Sequence, residues 1–170
     1  MKNVAILLSG RGSNFIALAE AIKQKQISAE IVAVISNRSN ATGLNYARTK
    51  GYPTWLIPSR GKSRESFDQE VASRLKTTGT EIVCLAGFMR LLSPLIVQMF
   101  PQRILNIHPA LLPRYGGKGM YGHYVHEAVI AAGDAESGVT VHLVDSDYDT
   151  GPIVDQARVP VYAGDTAETL

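Results

Sequence analysis

Val4-Ala5-Ile6-Leu7-Leu8-Ser9-Gly10-Arg11-Gly12-Ser13-Asn14 is the stretch on which the fold turns. Its first five residues are apolar without alternation, the pattern of a strand buried on both faces. Ser9 to Asn14 then break the strand with glycine and short polar residues. Phe15, Leu18, Ala19 and Ile22 follow at the spacing of one helical face. Strand, glycine turn and amphipathic helix together make the first half of a parallel βαβ unit.

The same alternation continues outward along the chain. Glu30 to Ile35 reads as a second buried strand ended by Ser36-Asn37-Arg38. Residues 42–50 suit a short helix closed by Gly51, and Pro53 to Ile57 a short strand closed by Pro58. Phe67, Val71 and Leu75 mark a helix over Glu65 to Lys76. Glu81 to Ala86 is the next strand, stopped by Gly87. Pro94 sits at the first turn of a helix through Met99, and Arg103 to Ile107 is another strand. After a helix over Tyr124 to Ala132 the pattern changes. Gly138 to Val144 and Pro152 to Val161 are strand-like with no helix between them, so they pair antiparallel. The sequence therefore predicts one α/β domain over residues 1–170, a doubly wound, mostly parallel sheet with an antiparallel C-terminal edge. No internal repeat, low-complexity segment or linker interrupts it.

Composition narrows the classes. The 170 residues are 45% hydrophobic and 19% charged, enough for one packed core and a charged surface. The net charge of +2 comes from scattered Lys and Arg, which predicts neither a nucleic-acid partner nor a membrane surface. Met1 to Gly10 is too short for a signal peptide, and no run reaches membrane-spanning length. Cys84, the single cysteine, lies in an apolar strand and reads as a buried structural thiol. A reducing, cytoplasmic setting is the expectation.

In doubly wound sheets ligands sit beyond the carboxyl ends of the parallel strands, so the loops after the first, fourth and fifth strands carry the chemistry. In the first loop, the N–H groups of Gly12, Ser13 and Asn14 face outward at a helix start, which suits an anion. A third glycine is missing, its position being Phe15, and so is a Walker lysine. This is neither a dinucleotide loop nor a P-loop. A turn capped by Ser13 or Asn14 explains the same residues without a ligand, and spacing leaves both readings open.

Asn106-Ile107-His108-Pro109 ends the fifth strand. Alternation puts Asn106 and His108 on one side, and Pro109 stops the strand. A carboxamide donor beside a near-neutral base suits proton transfer. A capped strand end with a hydrogen-bonded histidine fits equally well. Thr140, His142 and Val144 share a face of the sixth strand, followed by the turn Asp145-Ser146-Asp147-Tyr148-Asp149-Thr150-Gly151-Pro152. Its three aspartates lack the ligand series of a calcium loop. No Cys/His spacing points to zinc, and no Gly-x-Ser-x-Gly elbow supplies a serine nucleophile. No metal is expected.

Asn106-Ile107-His108-Pro109-Ala110-Leu111-Leu112-Pro113-Arg114-Tyr115, with Gly138-Val139-Thr140-Val141-His142 and Asp149-Thr150-Gly151-Pro152-Ile153, resembles the folate-dependent formyltransferases. The resemblance runs from Met1 to Leu170 and implies their Rossmann-type fold. It implies transfer of a formyl group from 10-formyltetrahydrofolate, by Asn106, His108 and Asp149, through direct amine attack and a tetrahedral intermediate. Ser9 to Asn14 resembles the phosphate loop of members acting on glycinamide ribonucleotide in purine biosynthesis. Gly12, Ser13 and Asn14 would then hold its phosphate. Met89, Arg90, Leu92, Val97 and Asp145 would border the folate pterin, with Thr140 and His142 holding Asp149 from behind. The implied enzyme is a monomer or homodimer. Two departures stand out. Tyr115 to His123 is richer in glycine than the family pattern, leaving open counterparts for His123 and His126 and a lid or turn role for the loop. The family also continues with a helix that would be starting at Thr166-Ala167-Glu168-Thr169, so a C-terminal helix is expected beyond this chain.

Overall fold

Ile6, Leu7 and Leu8 have no exposed surface, as an uninterrupted apolar strand requires when both of its faces are covered. They belong to β1 (Lys2–Leu8) in a computed structural model that describes residues 1–170. The remaining elements are α1 (Ser13–Lys23), β2 (Ala29–Ser36), α2 (Thr42–Thr49), β3 (Thr54–Leu56), α3 (Arg64–Thr77), β4 (Ile82–Leu85), α4 (Pro94–Met99), β5 (Ile104–His108), α5 (His123–Ala132), β6 (Glu136–Leu143) and β7 (Ile153–Pro160). One seven-stranded sheet has the order β3-β2-β1-β4-β5-β6-β7. β1 pairs parallel with β2 and β4, β2 parallel with β3, and β6 antiparallel with β7. This is the mostly parallel sheet with an antiparallel C-terminal edge that the sequence predicts. No helix is long and apolar enough to cross a membrane.

Two compact units make up the chain, Met1–Leu105 and Asn106–Leu170. In the first, one face of the sheet packs Val4, Ile6, Leu8, Ile31 and Val34 against Phe15 and Ala19 of α1 and Leu44 and Ala47 of α2. Phe15 meets the rings of Tyr46 and Tyr52 edge-on, at 6.0 and 5.6 Å, the geometry that aromatic quadrupoles favour. Phe67, Val71 and Leu75, the predicted face of α3, are fully buried. Cys84 is partly rather than fully buried; burial pushes its thiol up to about 11, so it stays protonated at neutral pH.

The carboxyl ends of three strands in this unit are tied together by one hydroxyl. Ser9 Oγ, just past β1, donates to Asn37 Oδ1 past β2 at 2.6 Å and accepts from the Met89 N–H past β4 at 2.8 Å. Buried polar groups need such partners, and here the partners fix the loops relative to one another.

In the second unit, Thr140 and His142 of β6 are buried while β7 is exposed along most of its length. Gly138 allows the two strands to close: a Cβ there would run into the Ala157 carbonyl. The register shifts between Val141 and His142, a bulge of the kind that re-aims a side chain.

Candidate active site

β5 delivers Asn106 and His108 to the same side at its carboxyl end, as the two-residue period of a strand dictates. His108 is 3% exposed. Its Nε2 lies 2.7 Å from the Tyr115 carbonyl oxygen. A carbonyl can only accept, so the hydrogen sits on Nε2 and the bond fixes the ring's tautomer and tilt. The other nitrogen, Nδ1, is 3.5 Å from Asp149 Oδ2, too long for a strong hydrogen bond.

Asp149 is the hub. Its Oδ2 accepts from the Gly117 N–H at 3.0 Å, and its Oδ1 lies 3.4 Å from His142 Nε2 and 3.5 Å from Asn106 Nδ2. Its backbone has φ +56°, unusual for a residue with a Cβ. Burial alone would raise its pKa, but the hydrogen bonds from His142 and Gly117 and the charges of His108 and His142 outweigh burial and hold it below 3.8. Asp149 is therefore an acceptor-only anion at neutral pH. Gly116 leaves it room: a Cβ there would stand 3.3 Å from the Asp149 Cβ and 2.6 Å from the Leu112 side chain.

His142 lies beside this hub. Its Nδ1 donates to the Leu143 carbonyl at 2.9 Å, and its Nε2 is 3.0 Å from Asn106 Nδ2. Burial opposes its protonation, yet the hydrogen bonds to Asp149 and to Leu143 and the charges of Asp149 and Asp145 win, raising its pKa above 6.5. Stability from a raised histidine is fully present below 6.5 and is lost as pH rises through the folded value. His142→Gln should accordingly cost more stability below pH 6.5 than well above the folded pKa. Urea midpoints at two pH values measure this, and an equal cost at both would contradict the assignment.

Thr140 does something other than hold Asp149. Its hydroxyl donates to the Ala110 carbonyl at 2.6 Å and accepts from the Leu112 N–H at 3.0 Å and from Gln156 Nε2 at 2.9 Å. Strand periodicity puts it on the face of His142, but two residues further down β6 it reaches the segment after β5 instead. Gln156 reinforces this by donating to the Leu112 carbonyl at 3.1 Å. Tyr115, Gly116, Gly117 and Gln156 were missed by residue chemistry. Only the glycine density of the 116–122 loop hinted that backbone there comes close to something.

In the first unit, Gly12 stands at the N-terminal end of α1 with φ +76°, and no side chain caps the helix. The capped-turn reading of Ser13 and Asn14 is thus not what folds. The Ser13 and Asn14 side chains at this helix start are exposed. Gly12 is required twice over, by its φ and because its Cβ would stand 3.0 Å from the Gly43 Cα.

After β4, Met89 and Val97 are half-buried, and Leu92 is 1% exposed. Arg90 lies over the Phe67 ring at 4.9 Å and donates to the Lys62 carbonyl at 3.2 Å, which replaces a solvated surface charge with a fixed one. Buried Asp68 accepts from the Ser93 N–H and so pins the end of that loop. In the second unit, the Asp145 carboxylate accepts from the Asp147 N–H and the Thr150 hydroxyl, closing its turn.

The description of the formyl transferase family fits residues 2–170. The chain belongs to this family. It is 42% identical over 173 residues to the chloroplastic phosphoribosylglycinamide formyltransferase of Arabidopsis thaliana, covering 99% of this chain and 59% of that protein. It is 42% identical over 169 residues to the phosphoribosylglycinamide formyltransferase of Escherichia coli, covering 99% of this chain and 77% of the relative. A solved glycinamide ribonucleotide transformylase 1 from Symbiobacterium toebii superposes with a TM-score of 0.93 at 39% identity, over 99% of this chain and 78% of that one. The chain thus spans about three-fifths of the Arabidopsis relative's length.

Proposed function

We propose that this chain transfers the formyl group of 10-formyltetrahydrofolate to the amine of glycinamide ribonucleotide, a step of de novo purine biosynthesis. The observation that carries the reading is Asp149, an ionised carboxylate held against His108, His142 and Asn106 at once. Relatives named phosphoribosylglycinamide formyltransferase over nearly the whole chain support the choice of substrate.

The amine nitrogen attacks the formyl carbon, the carbonyl electrons move to oxygen, and the tetrahedral oxyanion collapses by expelling the folate nitrogen. Asn106 supplies the oxyanion donor: neutral His142 accepts one amide hydrogen at Nε2, and the other makes only the 3.5 Å contact to Asp149, which the oxyanion can replace. His108 turns Nδ1 toward the reaction, its Nε2 being engaged with Tyr115. Protonated at Nδ1 it is a second donor to the oxyanion and a proton source for the leaving nitrogen. Asp149 balances that charge and receives the proton the attacking amine must lose, directly or through water. Neither a covalent enzyme intermediate nor a metal enters this sequence of steps.

For the substrate phosphate we assign the N–H groups of Gly12, Ser13 and Asn14, where the uncapped helix start favours an anion. For the pterin we assign Met89, Arg90 and Val97 of the first unit, with buried Leu92 in the same segment, and in the second unit Asp145. The lone cysteine supports a reducing, cytoplasmic setting, and the scattered charge an enzyme without nucleic-acid or membrane partners, acting as a monomer or homodimer. The test mixes the protein with 10-formyltetrahydrofolate and glycinamide ribonucleotide and follows folate absorbance. Formyl loss only in the presence of the amine is the expected result. Loss without the amine points to hydrolysis, and no loss in either case rejects the assignment.

A further inference from the structure

Two residues without a glycine's freedom press on the His108 ring from opposite ends, and both have φ +56°: Asp149 near Nδ1 and Tyr115, whose carbonyl holds Nε2. A left-handed backbone is uncommon outside glycine and persists only where its surroundings over-determine it. For Asp149 the surroundings are the β6–β7 turn and the Gly117 N–H. For Tyr115 they are its own side chain. The phenol donates to Asp134 Oδ2 at 2.7 Å, and Arg114 spans the same carboxylate, with Nη1 2.9 Å from Oδ2 and Nη2 3.0 Å from Oδ1. The Arg114 guanidinium also covers the Tyr115 ring at 5.0 Å, with Nη2 3.1 Å from the phenol oxygen.

Asp134 is itself fixed. It follows Gly133, which closes α5 in the left-handed conformation, and its N–H reaches back to the Val129 carbonyl. The phenol and guanidinium hydrogen bonds keep the Asp134 carboxylate below 3.8, and the same bond raises the Tyr115 phenol above 10.0. The carboxylate therefore acts only as acceptor and the phenol only as donor to it, throughout the neutral range.

We propose that Tyr115, anchored by Asp134 and Arg114 at the end of α5, is a positioning residue that sets the tautomer of His108 and leaves Nδ1 as the working nitrogen. The mechanical route is short. Asp134 fixes the phenol, the phenol fixes the backbone of Tyr115, and the carbonyl of Tyr115 takes the Nε2 hydrogen. Without that acceptor the neutral ring can carry its hydrogen on Nδ1, where it donates to Asp149 and is turned away from the oxyanion. This rests on the formyl-transfer reading for its effect on rate, but the tautomer itself is a property of the folded chain.

The experiment uses the full chain with ¹⁵N-labelled histidine. Nitrogen shifts of the His108 ring report which nitrogen carries the hydrogen, and a His108→Gln sample assigns the signals. The wild type should show the Nε2–H form when neutral. Tyr115→Phe and Asp134→Asn should both populate the Nδ1–H form. In the formyl-transfer assay both should lower kcat roughly tenfold with KM little changed, less than the ~10²-fold a 1 Å misplacement costs. Asp134→Glu, which keeps the carboxylate, should restore part of both signals. Two outcomes overturn the proposal: an Nδ1–H ring in the wild type, or unchanged ring shifts in both Tyr115→Phe and Asp134→Asn. If the wild type shows the expected tautomer, the variants shift it, and no protein transfers formyl, the tautomer assignment stands and the proposed function falls.

Discussion

Asp149→Asn is expected to lower kcat for formyl transfer by about 10²–10⁴-fold, the range of general acid–base help, while the chain stays folded. The carboxylate faces four donors or potential donors: the Gly117 N–H, His108 Nδ1, His142 Nε2 and Asn106 Nδ2. An acceptor-only anion suits all four. A carboxamide cannot, because its own NH2 must face one of those sides. If the amide oxygen keeps the Gly117 bond, the NH2 turns toward His142 and Asn106. If the NH2 turns to His108, it repels protonated Nδ1 and offers no negative charge to balance it. Either way the proton acceptor for the amine is gone. The fold survives because the isosteric side chain still fits beside Gly116 and the β6–β7 pairing does not depend on its charge. Single-turnover rates, with circular dichroism as the folding control, make the measurement. Near-normal transfer by the purified variant would falsify the role given to Asp149.

Asn106→Ala is expected to cost about 10²–10³-fold in kcat, as for loss of one oxyanion donor. The variant removes the amide hydrogen proposed to move from Asp149 to the oxyanion. It should leave KM for both substrates nearly unchanged, because that bond exists only once negative charge has developed. The truncation also leaves His142 Nε2 with Asp149 alone, so His142 should respond by pairing more closely with the carboxylate. A variant whose KM rises while kcat holds would place Asn106 in ground-state binding instead.

The parallel half of the fold was readable because burial on both faces leaves a run with no polar interruption. Val4 to Leu8 has that form, and Ile6, Leu7 and Leu8 are indeed without exposed surface. Asn106 and His108 were paired by strand period for the same local reason. Asp149 is different. Three aspartates share its turn, and local sequence treats them alike. The choice among them came from family resemblance, and the geometry that sets them apart comes from the bulge at Val141/His142 and the tight approach at Gly151. Asp145 turns inward to close its own loop, while Asp149 takes φ +56° and points at two histidines.

Thr140 shows the limit of periodicity. A two-residue repeat gives the face but not what lies opposite, so it joined Thr140 to His142 when the hydroxyl in fact serves Ala110 and Leu112. Tyr115 shows another limit, since its contribution to His108 is a backbone carbonyl that every residue possesses. The sequence by itself determined the order of strands and helices, the antiparallel edge, and the pairing of Asn106 with His108, because each follows from the pattern within an element or from the short connection to the next. Only the tertiary structure decided which nitrogen of His108 is held, what Thr140 supports and how the Gly116–Gly117 backbone locks Asp149. Those contacts join residues from 7 to 32 positions apart, and their geometry depends on how loops pack rather than on any local pattern.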